Sequence, residues 1–366
     1  MSLAERAPAH VRGISPYVPG KPLEALARET GLRTQDVIKL ASNENPLGMS
    51  PGARAAMESA LGELQRYPDG GGFALKAELA RAHGVPPEAI VLGNGSGDVL
   101  ELAARAFLAP DASAVCSQYA FAVYPLAVMA TGARLIEVPA RAWGHDIAAL
   151  GDAIAADTRV VFIANPNNPT GTFLPAALIE AFLARVPGDV LVVLDEAYVE
   201  YLPDEVRYDS VAWLARHPNL LVTRTFSKIH GLAGLRVGYA LAHPDVAALL
   251  DRVRQPFNVN VLAQVAACGA LADTAFVARS RAANREGMRQ IVAGLDALNL
   301  RHIPSLGNFV SFHVGDAARV DAALQRRGVI VRPLASYAMP AWLRVTVGSP
   351  GENARFLDAL ERALKE

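Results

Sequence analysis

Short, largely apolar runs alternate along the chain with longer stretches in which apolar positions recur every three or four residues. The runs over 89–92, 113–116, 134–138, 160–164, 190–194, 220–223 and 237–242 predict strands. The stretches between them, such as 99–108, 174–185 and 211–216, predict helices. Continuous apolar strands separated by helices imply a mostly parallel sheet covered on both faces, an α/β architecture. After about residue 245 the texture changes. The segment 249–296 is largely helical and alanine-rich, and short strands at 309–314, 329–332 and 343–347 surround a helix at 317–327. The expected organisation is an arm over 1–33 that packs on the small domain or a dimer partner, a large domain over 34–250, and a smaller α+β domain over 251–366.

Composition narrows the picture. At 366 residues, 52% of them hydrophobic, the chain can bury the cores of two domains. A net charge of −1 gives no general attraction to nucleic acid or an anionic membrane, so neither is expected as a partner, and an anionic ligand must be held by local arginines. Cys116 and Cys268 lack metal-type spacing and fit a reducing cytoplasm. The eight histidines show no ligand spacing, so no metal site is expected. The first residues carry charges and no apolar core of a signal peptide, and no stretch reaches the roughly 20 apolar residues of a membrane span.

In an open α/β sheet, ligands bind beyond the carboxyl ends of the strands. Three neighbouring candidate strands end in polar clusters. The run 160–164 leads into Asn165-Pro166-Asn167-Asn168-Pro169-Thr170-Gly171, the run 190–194 into Asp195-Glu196-Ala197-Tyr198, and the run 220–223 towards Ser227-Lys228. Singly, an asparagine before proline is a turn residue and a carboxylate after a strand a helix cap. Together, a parallel topology brings Asn168, Asp195, Tyr198 and Lys228 to one rim. A fourth run, 89–92, enters Gly93-Asn94-Gly95-Ser96-Gly97-Asp98 and then a helical stretch. That turn offers free N–H groups at the positive end of a helix dipole, which suits a phosphate. Its glycines do not form GxGxxG, and no Walker lysine follows.

The segment Thr223-Arg224-Thr225-Phe226-Ser227-Lys228, followed by Gly234-Leu235-Arg236-Val237-Gly238-Tyr239, sets one lysine at the mouth of an apolar strand, among hydroxyls and an arginine. Desolvation lowers a lysine's pKa, and an amine that can lose its proton can form a Schiff base with an aldehyde. The neighbouring arginine and hydroxyls can hold an anion. Those are the requirements of a pyridoxal phosphate site.

These residues resemble the fold-type I, aspartate-aminotransferase-like pyridoxal phosphate enzymes, and within them the histidinol-phosphate aminotransferases. The resemblance spans nearly the whole chain. Its markers are Pro16-Tyr17-Val18-Pro19-Gly20, Leu40-Ala41-Ser42-Asn43-Glu44-Asn45-Pro46, Arg66-Tyr67-Pro68-Asp69, Asn167-Asn168-Pro169-Thr170-Gly171, the segment from Ser227-Lys228 to Arg236, and Leu343-Arg344-Val345-Thr346-Val347-Gly348. It implies that Lys228 bonds the cofactor aldehyde and moves the proton, that Asp195 pairs with the ring nitrogen, and that Asn168 and Tyr198 bond the ring's phenolic oxygen. It implies that Tyr119 stacks on the ring, that Ser96, Gly97, Asp98, Thr225, Ser227 and Arg236 hold the cofactor phosphate, and that Tyr67 reaches the phosphate of a neighbouring subunit, hence a homodimer with shared active sites. Arg344, with Arg332 and Tyr17, is implied to hold the substrate's anionic group. The implied reaction is amino transfer between histidinol phosphate and 2-oxoglutarate, in histidine biosynthesis. An aromatic amino-acid aminotransferase and a threonine-phosphate decarboxylase stand as alternatives. One departure is Ser117-Gln118, where many members have Pro-Thr before the tyrosine at 119.

Overall fold

A computed structural model describes residues 2–366. Its strands are β1 (Ile38–Lys39), β2 (Ile90–Gly93), β3 (Ser113–Ser117), β4 (Arg134–Val138), β5 (Thr158–Ala164), β6 (Leu191–Asp195), β7 (Leu220–Thr225), β8 (Gly238–Ala242), β9 (Phe309–His313), β10 (Val329–Ile330), β11 (Arg332–Pro333) and β12 (Trp342–Thr346). Seven of them form one sheet in the order β2-β8-β7-β6-β5-β3-β4. Only β8 runs against its neighbours. The carboxyl ends of β2, β5, β6 and β7 therefore share one rim, as the apolar runs imply.

Side-chain alternation explains why these strands read as unbroken apolar runs. Val161, Ile163, Val192 and Leu194 point into one buried cluster, and Val160, Phe162, Leu191 and Val193 into the cluster on the opposite face. The helix Ser96–Phe107 covers the second face with Val99, Leu100, Leu102, Ala103 and Ala104, all wholly buried.

The remaining strands build a smaller unit. β11, β12 and β9 form an antiparallel sheet, and β1 pairs in parallel with β10. The helix Pro350–Leu364 closes this unit. Its start is fixed by a capping box in which Ser349 and Glu352 satisfy each other's backbone N–H groups. Packing crosses the expected boundary at 250. Ala263, Ala266, Ala267 and Ala270 of the helix Val261–Ala272 belong to the core of the large sheet, whereas Leu40 belongs to the core of the small unit. The small side chains let that helix lie close to the helix Pro51–Ala60, and a Cβ on Gly269 would come within 2.6 Å of the Gly52 carbonyl oxygen. In the expected arm, Leu26 and Ala27 of the helix Leu23–Thr30 pack on Val37, Ala41 and Ile330. The stretch 211–216, expected as a helix, is a 3-10 turn over Val211–Ala215. Among the described residues, no single helix is long and apolar enough to cross a membrane.

Candidate active site

The rim shared by β2, β5, β6 and β7 opens into a cavity of about 310 Å³ between the two units. Asn168, Asp195, Tyr198 and Lys228 all line it, joined by Ser96 and Gly97 from the glycine-rich turn and by Arg332, Arg344 and Tyr17 from the opposite side.

Lys228 follows β7, and its Nζ donates to the Ser42 carbonyl oxygen at 3.0 Å. The ammonium lies 5.7 Å from the centroid of the Tyr198 ring. Burial first, and the Arg344 guanidinium second, pull its pKa down to about 8, with Glu44 opposing them. A fraction of this amine is therefore neutral at ordinary pH, as a nucleophile or base must be.

Asp195 ends β6 with both oxygens engaged. Oδ2 accepts the Tyr124 hydroxyl at 2.8 Å. Oδ1 accepts the Thr223 hydroxyl and the Ala197 N–H, each at 3.2 Å. Burial raises its pKa, and these donors oppose the rise. Tyr198 lies beside it, its oxygen accepting from Asn43 Nδ2 at 2.9 Å. Burial pushes the Tyr198 phenol up to about 12, so it remains a hydrogen-bond donor. Asn168 accepts from Arg344 Nη1, which orients its amide.

At one end of the cavity stands an anion cup. Arg236 donates to Ser227 Oγ at 3.2 Å, and Ser227 N–H donates to Thr225 Oγ1 at 3.1 Å. The helix Ser96–Phe107 starts beside them, with the first N–H groups of a 12-residue helix free of intrahelical partners. The cup is too tight for side chains. A Cβ on Gly95, whose φ is +86°, would lie 2.3 Å from Arg236 Nη2, and one on Gly238 would lie 2.3 Å from the Ser96 nitrogen. Asp98 supports the turn rather than lining the cavity: its carboxylate accepts from the Asn94 N–H and from Asn258 Nδ2, both at 2.8 Å.

At the other end, Arg344 is buried on β12, its Nη2 donating to the Ala41 carbonyl oxygen at 2.7 Å. The Arg344 guanidinium lies 5.2 Å from the Phe309 ring centroid, and its Nε is buried without a protein partner. Arg332, on β11, sits 5.3 Å from the Tyr17 ring centroid. Two cations at one end and one at the other can hold a ligand that carries anionic groups at both.

Besides Asp98, two expected residues lie outside this cavity. The Tyr119 ring packs on Trp143, 5.4 Å between centroids, within an aromatic cluster that includes Trp342. Phe121 and Tyr124 occupy the cavity wall instead, because Tyr119 takes a left-handed turn, φ +59°, that carries its side chain away. Tyr67 is 82% exposed and stacks on Phe257 at 4.7 Å, away from its own chain's cavity. Residues not singled out from sequence also line the site: Ser42, Asn43 and Glu44, which sit in a quoted marker without an assigned role, and Tyr124 and Tyr337. Asn43 is buried at φ +56° and bonded to Tyr198 and Thr346, an unusual backbone for a polar residue in a core.

The chain matches the family model for aminotransferase class I and II over residues 35–360. It is 60% identical over 364 residues to histidinol-phosphate aminotransferase 1 of Dechloromonas aromatica, covering 100% of both chains. It is 61% identical to histidinol-phosphate aminotransferase 1 of Thiobacillus denitrificans, covering 99% of this chain and 94% of that one. Among solved structures, histidinol-phosphate aminotransferase from Sinorhizobium meliloti in complex with pyridoxal-5'-phosphate superposes with a TM-score of 0.90 at 28% identity, covering 98% of each chain.

Proposed function

We infer the reaction from the premise that the chain belongs to the class I and II aminotransferases: it is a pyridoxal phosphate-dependent transaminase that moves an amino group between histidinol phosphate and 2-oxoglutarate, a step of histidine biosynthesis. The observation that carries this reading is the position of Lys228. It is a buried amine with a pKa near 8, in one cavity with an anion cup, a buried carboxylate and a paired-arginine end.

The residues fit the cofactor. The cup has no room for a Cβ at Gly95 or Gly238 and converges hydroxyls, a guanidinium and helix N–H groups, the donor set a phosphate needs. When bound, pyridoxal phosphate supplies the aldehyde that carries the amino group and an electron-withdrawing ring. Asp195 would hold the proton on the ring nitrogen, and Asn168 and Tyr198 would donate to the phenolic oxygen. Thr225, Ser227, Arg236 and the N–H groups of Ser96, Gly97 and Asp98 would hold the phosphate. Lys228 is the group that takes a proton from, and returns one to, the substrate carbon bearing nitrogen. Histidinol phosphate lacks an α-carboxylate, so Arg344 and Arg332 would hold its phosphate. The same pair would hold a carboxylate of glutamate in the other half-reaction. Tyr17, against Arg332, lines the same end of the cavity.

The assembly we propose is a homodimer with shared active sites. Tyr67, Phe73, Leu61, Leu64 and Phe257 leave an exposed apolar surface that a second copy would cover, with Tyr67 reaching the partner's phosphate cup. The unpaired cysteines, one of them buried, support a cytoplasmic enzyme.

The test is a steady-state assay of glutamate formation from 2-oxoglutarate with histidinol phosphate or phenylalanine as donor. The account expects a higher kcat/KM for histidinol phosphate. A preference for phenylalanine would move the chain to the aromatic aminotransferases.

A further inference from the structure

We propose that Tyr124 is a positioning residue for Asp195: its hydroxyl holds the carboxylate as the anion that keeps the cofactor's ring nitrogen protonated. This rests on the pyridoxal phosphate reading above.

Tyr124 stands in the first turn of the helix Val123–Thr131 and is wholly buried. Its ring stacks on Phe162, with centroids 4.9 Å apart and planes 11° apart, and meets the edge of Phe121 at 5.9 Å. Packing on two sides fixes where the hydroxyl points. It meets Asp195 Oδ2 at 2.8 Å, the shortest of the three bonds to that carboxylate. An ionised carboxylate accepts only, so the pairing makes Tyr124 the donor. All three groups bonded to Asp195 donate.

Those bonds decide which atom keeps a shared proton. A buried carboxylate with nothing to accept from would rather be neutral, and burial does push Asp195 up. Tyr124 exerts the largest opposing pull, ahead of Ala197 and Thr223. Burial and the adjacent Asp195 together hold the Tyr124 phenol well above its ordinary pKa, so it stays protonated and keeps donating. The other nearby carboxylate, Glu196, is paired with Arg224 at 2.9 Å and faces away. Against this carboxylate a pyridinium keeps its proton. Without the Tyr124 bond, Asp195 would be the stronger base and would hold the shared proton itself more of the time, so that a bound pyridoxal phosphate would supply less electron withdrawal.

The hydroxyl acts separately from the ring. Tyr124→Phe keeps the stacking on Phe162 and removes only the donor, whereas Phe121→Leu changes the packing and keeps the donor. The experiment reconstitutes wild type, Tyr124→Phe and Phe121→Leu with pyridoxal phosphate labelled with 15N in the ring. It follows the nitrogen resonance across pH, together with the cofactor's dissociation constant. Because the bond is already present without cofactor, only its strengthening on binding counts, which predicts cofactor binding up to ~10-fold weaker in Tyr124→Phe. The nitrogen should move toward its neutral position and lose its proton at lower pH than in wild type, while Phe121→Leu keeps the pyridinium signal. Thr223→Val, which removes a longer bond to the other oxygen, should give a smaller shift in the same direction and serves if Tyr124→Phe does not fold. A pyridinium signal and cofactor affinity unchanged in Tyr124→Phe would overturn the proposal. A wild-type protein that takes up no pyridoxal phosphate would instead overturn the function it rests on, and the two failures are distinguishable.

Discussion

Arg332 lies directly opposite Arg344 across the antiparallel pair of β11 and β12. Directly opposed residues share a face, so two guanidinium groups point from one sheet into one cavity. Like charges in that arrangement repel, and Arg344 is also buried, which lowers its pKa. An anion held between them, as proposed, would relieve that repulsion. If one clamp serves both half-reactions, as proposed, Arg344→Ala should cut kcat/KM by about 10²-fold or more for both histidinol phosphate and glutamate. Arg332→Ala should act mainly on KM. Arg344→Lys should not rescue, because an ammonium's donors radiate from one atom and cannot reproduce the planar fork that reaches Asn168 and the Ala41 carbonyl from separate nitrogens while facing a substrate oxygen. Steady-state kinetics with each donor checks this; loss for one substrate only would show that the clamp is not shared.

Lys228→Ala should lower turnover by about 10⁴-fold if Lys228, the one lysine lining the cavity among the described residues, moves the proton as proposed. The protein should remain folded, because the side chain makes a single hydrogen bond, to Ser42. Turnover near the wild-type rate would remove Lys228 from the chemistry.

The pH dependence of cofactor uptake follows from the same residue. Its pKa is lowered to about 8, so its neutral, nucleophilic form is lost as pH falls below 8. Reconstitution of cofactor-free protein should accelerate about fivefold between pH 7 and 8 and level off above roughly pH 9. Glu44 opposes the lowering, so Glu44→Gln should shift the midpoint to lower pH. A midpoint near that of free lysine would mean the amine is not desolvated.

Gly95 tests the anion cup without touching a charge. Gly95→Ala puts a methyl against Arg236 at a backbone angle that favours glycine. Binding of pyridoxal phosphate should weaken at least ~10-fold, and thermal stability should also fall, by about 1–3 kcal/mol, because an L side chain is strained at this positive φ. Titration of cofactor-free protein measures it.

Shared active sites have a quantitative signature. When inactive Tyr67→Ala and Lys228→Ala chains mix at random, half the dimers are mixed, and each mixed dimer holds one site with both residues intact. Roughly a quarter of wild-type activity should return. No gain over the separate variants would place Tyr67 outside the partner's site.

Legibility differed by kind of residue. The sheet was readable because its strands are buried on both faces, which leaves unbroken apolar runs, and the polar residues that end those runs are the ones at the rim. Lys228, Asp195 and Asn168 were visible on that account, whereas Arg344, inside β12 of the smaller unit, was visible only through the family resemblance of its segment. Tyr124 was not. It sits within a helix, next to Pro125, and only the fold brings it to Asp195, 71 positions away. The tyrosine chosen from sequence for the ring-stacking role, Tyr119, was misplaced by a left-handed backbone angle that no side-chain pattern announces. The backbone N–H of Asp98 follows from its place after Gly97, but the role of its carboxylate, which ties the turn to Asn258 far along the chain, does not. The change in texture near residue 250 marks a domain boundary only loosely, because alanine-rich helices signal close packing without saying against what.

The most direct measurement is the visible spectrum of the cofactor-loaded protein before and after adding histidinol phosphate with no 2-oxo acid present. The account predicts that the cofactor's visible band disappears and that one equivalent of imidazole-acetol phosphate is released per site. A loaded protein whose band ignores histidinol phosphate, or that releases carbon dioxide from a phosphorylated amino acid instead, would contradict it.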